Sequence, residues 1–223
     1  MSAVVLGGTG AIGASLVTQL SHDKRFQRIL VVSRRELDLA TTFPEANLSN
    51  LQCLVVDFAQ LSTTLFKHLD AGMLAFNALG TTQKQAGSKA GFKAIDHGYS
   101  LAFAKVCEQV GTSKLIMVTA AGAKIGSISF YNHIKGLVER DVAEHHIETI
   151  HFLRPSLLLG RPADGRATEQ LAQCLLAPIA RWLPLSIRPV HVDVAASAMI
   201  VCAFELDGIN VISNQYIHTL ARQ

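Results

Sequence analysis

Tyr131 and Lys135 stand four residues apart in the stretch Tyr-Asn-His-Ile-Lys. On a helix that spacing puts both side chains on one face. An ammonium beside a phenol favours the phenolate and lowers the phenol's pKa toward working pH. A tyrosine tuned this way can give a proton to, or take one from, a substrate oxygen while hydride moves to or from a nicotinamide. Taken alone, the pair also describes many ordinary surface helices. Its weight comes from the rest of the chain.

Near the N-terminus, residues 7–13 read Gly7-Gly8-Thr9-Gly10-Ala11-Ile12-Gly13. An early glycine makes a tight turn, Gly10 lets the backbone approach a pyrophosphate, and Gly13 lets a helix pack closely on a strand. A helix opening there offers free N–H groups and the positive end of its dipole to phosphates. The run follows an apolar strand, Ala3 to Leu6, and precedes a helical pattern, so it reads as a dinucleotide loop. A second apolar run ends Val32-Ser33-Arg34-Arg35, with no acid before Glu36. An NAD site uses an acid there for the ribose 2′-hydroxyl, whereas an NADP site uses arginine. The rigid guanidinium fork matches phosphate. The cofactor read from these residues is NADP(H) in preference to NAD(H); two solvated arginines would admit either.

Asp57, after Val55-Val56, can accept a hydrogen bond from an adenine amino group or cap the following turn. The stretch Asn77-Ala78-Leu79-Gly80-Thr81-Thr82 is small enough for the backbone to pass beneath a cofactor. The polar residues from Thr81 to Gly87 form either a lid or a connecting loop.

These residues need a scaffold, and the chain supplies an alternation. Short apolar runs at 3–6, 28–33, 51–56, 73–79, 114–119 and 149–154 read as strands. Helical patterns cover 11–21 and about 61–70, 92–110, 131–145, 166–182 and 193–206. Such alternation specifies an α/β fold, a parallel sheet with helices on both faces. Residues 155–223 begin with a proline-rich stretch (Pro155, Pro162, Pro178, Pro184, Pro189). They are expected to form a small irregular substrate lobe completing the same domain as a 1–154 core.

Composition excludes other classes. The 223 residues are 49% hydrophobic and 17% charged, which rules out a disordered chain and suits a sheet buried on both faces. The net charge is +3, and the basic residues are scattered, unlike a nucleic-acid arm. Cys53, Cys107, Cys174 and Cys202 lie in apolar runs without CxxC spacing and read as reduced thiols. His145-His146 beside Glu144 lacks metal-ligand spacing, so no metal is expected. No stretch approaches the ~18 apolar residues of a membrane span. The first residues lack a basic region followed by a hydrophobic segment and cleavage site, from which a cytoplasmic protein is expected.

Together the segments GGTGAIG (7–13), SRR (33–35), VDF (56–58), NALGTT (77–82), YNHIK (131–135), LRPSLLLG (153–160) and VHVDVA (190–195) resemble the short-chain dehydrogenase/reductase superfamily, in its atypical or extended branch. The LGTT segment, paired arginines and Arg-Pro motif are similar to the Tat-interacting-protein-like group. The resemblance runs from the first strand to the helix after Asp193. It implies a Rossmann-type doubly wound sheet of order 3-2-1-4-5-6 plus a seventh strand, with NADPH at its carboxyl edge. The implied cofactor residues are Gly7, Thr9, Gly10, Ala11, Ile12 and Gly13, then Arg34, Arg35, Asp57 and Phe58, then Ala78, Leu79, Gly80 and Thr81. Tyr131 would be the acid/base, and Lys135 would also bind the nicotinamide ribose. Pro155, Leu157 and Leu158 would pass over the nicotinamide amide.

The family's third catalytic member is a serine or threonine after strand five. Here Thr119 is the only hydroxyl in Val118-Thr119-Ala120-Ala121-Gly122, and it falls a position or two early. Ser127 or Ser129 could substitute from the loop. Arg188 and His191 would border the substrate, and Asp193 would cap the next helix.

These readings lead to an NADP(H)-dependent oxidoreductase acting on a small carbonyl substrate. The alternative is a non-catalytic NADPH sensor with a protein partner. A nucleotide-sugar epimerase ranks lower, because the region after Pro155 is short for that substrate. The low charged fraction permits a homodimer through an apolar helix face.

Overall fold

The computed structural model describes residues 1–160 and 183–220. The chain enters through β1 (Ser2–Leu6), turns through the glycines and forms α1 (Ala11–His22). There follow β2 (Arg28–Ser33), the short α2 (Leu39–Thr42), β3 (Leu51–Val55) and α3 (Leu61–Leu65). Next come β4 (Leu74–Asn77), α4 (Gln83–Ala86) and α5 (Lys89–Lys93). A π-helical turn, Ala94–Tyr99, leads from α5 into α6 (Ser100–Val110). Then come β5 (Lys114–Val118), α7 (Phe130–Ala143), β6 (Thr149–Leu153) and β7 (Leu158–Leu159). The described chain ends with β8 (Val190–His191), α8 (Val192–Glu205), β9 (Ile209–Ile212) and α9 (Asn214–Leu220).

Seven strands form one parallel sheet in the order β3-β2-β1-β4-β5-β6-β9. The chain leaves β1 in one direction and returns to its other side at β4. That reversal opens a crevice at the carboxyl ends of the strands.

The burial of β1 explains the low charged fraction. Ala3, Val4, Val5 and Leu6 are all 0% exposed. Because strand side chains alternate, Ala3 and Val5 pack with Leu16 and Leu20 of α1 and Met199 of α8. Val4 and Leu6 pack on the opposite face with Phe103 of α6 and Val138 of α7. Both faces are therefore apolar. Cys107 and Cys202 are buried free thiols, and desolvation pushes both up to about 12.

Several elements depart from the sequence reading. Helix α3 stops at Leu65, short of the expected 70. The single helix expected over 92–110 contains the π turn. Strand β4 ends at Asn77, whose Oδ1 accepts the Leu79 N–H at 2.9 Å and bends the chain out of the sheet. The 81–87 segment holds α4, which Thr82 caps and which ends at Gly87 with φ +74°. The expected helix 166–182 and Cys174 lie outside the described residues.

Residues 190 onward rejoin the core. Helix α8 lies along α1, and β9 adds to β6. Asp193 does not cap α8, because His191 occupies the N-cap position. Its carboxylate instead accepts the Ser15 hydroxyl of α1 at 2.6 Å and pairs with His191 at 3.0 Å. No helix among the described residues is long and apolar enough to cross a membrane.

The entry to α1 is closed to side chains. An added Cβ at Gly13 would run into the Gly7 carbonyl oxygen. Gly13→Ala is expected to destabilise the protein by roughly 1–3 kcal/mol in urea denaturation, the usual range for overpacking. Gly98→Ala, where an added Cβ meets nothing within 4 Å, should be neutral or stabilising by ~0.4–1 kcal/mol.

Candidate active site

The crevice is a cleft of ≈ 830 Å³ over the β1/β4 switch point. One end is backbone. Gly7 has φ +79°, and an added Cβ there would sit 2.5 Å from Leu79 N. Only glycine fits both the left-handed turn and that contact. Gly10 N–H donates to Gly7 O at 3.0 Å and closes the turn. Gly10 is the N-cap of α1, with no side-chain cap and no acid in the first turn. The first amides of α1 therefore face the cleft unblocked. This cradle fits a dinucleotide pyrophosphate, since N–H groups and the helix dipole converge on one point.

Thr9, Ala11 and Ile12 line this end with Gly7 and Gly10, and Ala78, Leu79, Gly80 and Thr81 form the opposite wall. Gly13 lies behind the turn as a packing residue and does not line the cleft. Arg34 reaches the cleft with its guanidinium 5.9 Å from the Phe58 ring centre. Phe58, which also lines it, meets Tyr99 edge-on at 5.1 Å. Arg35 does not line the cleft. Asp57 is also absent from the wall: its Oδ1 accepts the Ala59 N–H at 2.9 Å, the capping alternative.

Helix α7 supplies the other end. Ser129 caps it by accepting from Asn132 N, so Ser129 is a structural hydroxyl outside the cleft wall. Ser127 does not line the wall either. Tyr131 is 36% exposed at the mouth, its ring 5.6 Å from that of Phe92. One turn below, Lys135 is only 4% exposed, with Nζ 5.9 Å from the Tyr131 ring centre. Lys135 Nζ pairs with Asp96 Oδ1 at 2.5 Å. Desolvation opposes the ammonium, but Asp96, then Tyr131 and Glu139, outweigh it and hold Lys135 above its ordinary value.

Thr119, expected to hold the substrate oxygen, stands in the cleft wall after β5. It is 3% exposed, and its hydroxyl donates to Glu139 Oε1 at 2.6 Å. Glu139 also accepts Arg154 Nε at 2.9 Å and Arg154 Nη2 at 2.5 Å. The Glu139 hydrogen bonds in turn hold Arg154 above its ordinary value. The arginine of the Arg-Pro motif thus ties the end of β6 to α7 beneath the cleft. Val118, Thr119, Ala120, Ala121 and Gly122 line the wall at and after the end of β5, together with Asn132 from α7.

Pro155, Leu157 and Leu158 line the cleft beside Ser156. Arg188 and His191 do not. Arg188 donates through Nε and Nη2 to Leu183 O at 3.1 and 2.8 Å, so its side chain is turned toward its own loop. His191 packs against Gly160 and pairs with Asp193. No group of three or more potential metal ligands occurs among the described residues.

Asp96 escaped the motif reading because it belongs to no linear pattern around Tyr131. One signal was present: it falls on the buried stripe Phe92, Asp96, Ser100, Phe103, at helical spacing. An acid on such a stripe requires a buried partner.

A parallel sheet with a glycine turn at its switch point and a Tyr/Lys helix facing it defines a Rossmann fold of the short-chain dehydrogenase/reductase type. No family model matches the sequence. The UDP-glucose 4-epimerase of Thermotoga maritima, solved with UDP-glucose, superposes with a TM-score of 0.72 at 18% identity. The match covers 100% of this chain and 82% of the epimerase, a likeness of fold. Protein fmp52, mitochondrial, of Emericella nidulans is 30% identical over 169 residues, 76% of this chain and 72% of that protein. Protein HTATIP2 of Rattus norvegicus is 31% identical over 174 residues, 77% of this chain and 69% of that protein. The chain belongs with these proteins to the atypical short-chain dehydrogenase/reductases of the Tat-interacting-protein-like group.

The relatives also correct the expectation of a cytoplasmic protein, since the FMP52 proteins are named as mitochondrial. That expectation tested only for a secretory leader, and mitochondrial targeting uses different sequence features.

Glu139→Ala strands Arg154 and is expected to cost roughly 2–4 kcal/mol in thermal or urea unfolding. The cost falls short of a fully buried pair because the Arg154 side chain keeps 29% of its area exposed. Thr119→Val removes the hydroxyl that Glu139 and the Leu153 carbonyl share and should cost ~1–2 kcal/mol of stability while leaving NADPH affinity unchanged in a fluorescence titration.

Proposed function

We propose that the protein is an NADP(H)-dependent oxidoreductase that reduces a small carbonyl compound. One observation carries this reading: Tyr131 and Lys135 open onto the same cleft as the uncapped N-terminus of α1. The amides of the Gly7–Ile12 turn hold the pyrophosphate. Arg34, backed by Phe58, takes the ribose 2′-phosphate through its guanidinium fork. Lys135 donates to the hydroxyls of the nicotinamide ribose from below. The bound cofactor supplies hydride. Tyr131, at the mouth, donates its phenolic proton to the substrate oxygen and takes it back in the oxidative direction. Leu157 and Leu158 cover this end and keep water from the reacting atoms.

The non-catalytic sensor remains as a second reading, favoured by the wall after β5. Thr119 gives its hydroxyl to Glu139, and alanines stand where the family's hydroxyl would hold the substrate oxygen. In that reading the same cradle binds NADPH, and a protein partner responds to its occupancy.

The deciding assay is NADPH oxidation across aldehydes, ketones and quinones. Tyr131→Phe is expected to lower turnover by roughly 10²–10⁴-fold, the range for a general acid, with NADPH affinity retained. NADPH binding without turnover on any carbonyl would select the sensor. Arg34→Ala should weaken NADPH binding by about 10–100-fold, one charge-assisted contact, and leave NADH binding unchanged. Equal losses for the two cofactors would remove the 2′-phosphate role.

A further inference from the structure

The π-helical turn Ala94–Tyr99 places one residue where an ordinary helix would not need a charge. Asp96 is 0% exposed. Its Oδ1 lies 2.5 Å from Lys135 Nζ, and its Oδ2 accepts the Thr81 N–H at 3.0 Å. An added Cβ at Gly80 would lie 4.0 Å from both Asp96 Oδ1 and Lys135 Nζ, so the pair sits directly under the loop that leaves β4. Widened turns of this kind concentrate at functional sites.

We propose that Asp96 is the positioning residue for Lys135: its carboxylate bridges the ammonium and the Thr81 amide, fixing Lys135 beneath Gly80 and locking the β4 loop to α7. The proposal rests on the reading that Lys135 meets the cofactor ribose. It adds a reason why that lysine stays charged where burial disfavours charge.

Among the described residues, the titratable groups acting on Lys135 are Asp96 from the π turn and Tyr131 and Glu139 from α7 itself. Glu139 is already occupied by Arg154 and Thr119. Asp96 is therefore the one carboxylate in contact with the ammonium. Without it, desolvation would dominate, and Lys135 would lose its proton at lower pH. Lysine donation to a ribose would fail from the alkaline side.

The first test uses the unaltered protein. With lysine labelled by ¹³C at Cε, the Lys135 signal is assigned by its loss in Lys135→Met. Lys135 is expected to keep its charge at pH values where the exposed lysines titrate. Titration with the exposed lysines, or below them, would overturn the proposal.

The second test measures NADPH affinity by fluorescence from about pH 6 to 11, a range that reaches the titration of an ordinary lysine. In Asp96→Asn the alkaline loss of affinity should move down by roughly 1–3 pH units, the effect of removing a contacting opposite charge. Asp96→Glu should restore most of the original profile. An unchanged profile in folded Asp96→Asn would overturn the proposal, because a merely structural role would lower stability without moving the profile. If Asp96→Asn does not fold, the labelled-lysine titration decides alone. Both readouts are independent of turnover. A protein that binds NADPH without reducing any carbonyl would leave the Asp96 assignment standing and remove only the reductase.

Discussion

Three stretches of backbone meet at Gly7 with no side chain between them, and the cleft exists because of that contact. The Gly7 turn lies against Leu79 on the exit from β4, and Gly13 of α1 lies against the Gly7 carbonyl. Helix α1 can therefore descend onto the sheet with its N-terminus aimed over the switch point. Had a Cβ stood at either place, α1 would tilt away and its first amides would no longer converge. The remaining parts of the site are arranged around this fixed end: Arg34 from the exit of β2, Phe58 from the exit of β3, and α7 from the far side of β5.

Helix α7 carries three roles on one stripe. Tyr131, Lys135 and Glu139 follow at intervals of one helical turn. They run from the cleft mouth, through the buried pair with Asp96, to the clamp on Arg154 and Thr119. Tyr131 is partly exposed, Lys135 and Glu139 are buried, and each buried charge meets an opposite one. This pairing follows from the cost of leaving a charge unpaired in an apolar interior, which exceeds almost any other single defect. The clamp also anchors the ends of β5 and β6, so the wall formed by Ala120 and Pro155 is held against the helix that bears the tyrosine. Ala121 N–H donating to Pro155 O at 3.0 Å closes the same seam.

The C-terminal part of the described chain is less separate than its prolines suggest. Ser15, Gln19 and Asp193 knit α8 to α1, and Asn214 holds the Leu185 and Arg188 carbonyls and the Ser156 amide. Prolines signal breaks in local structure, but they do not say whether the chain returns to the core afterwards. Here α8 and β9 do return, and the apolar pattern of 193–206 was the better guide.

Local rules were sufficient for the scaffold. Strand positions, the glycine loop and the face shared by Tyr131 and Lys135 all follow from short-range periodicity and from conformations open only to glycine, which act over a few residues. Sequence alone could name Arg34 and Arg35 but not choose between them, and it left Asp57 between adenine and a turn cap. Those choices belong to tertiary structure, because they depend on which groups face a common space. Thr119 read as a catalytic hydroxyl, and only the fold shows that Glu139, 20 residues away in the chain, accepts its hydrogen bond. Asp96 stood out in no sequence motif, and its role appears only where the fold brings Lys135 to it. A buried charge is defined by its partner, and the partner is set by the packing of elements distant in sequence.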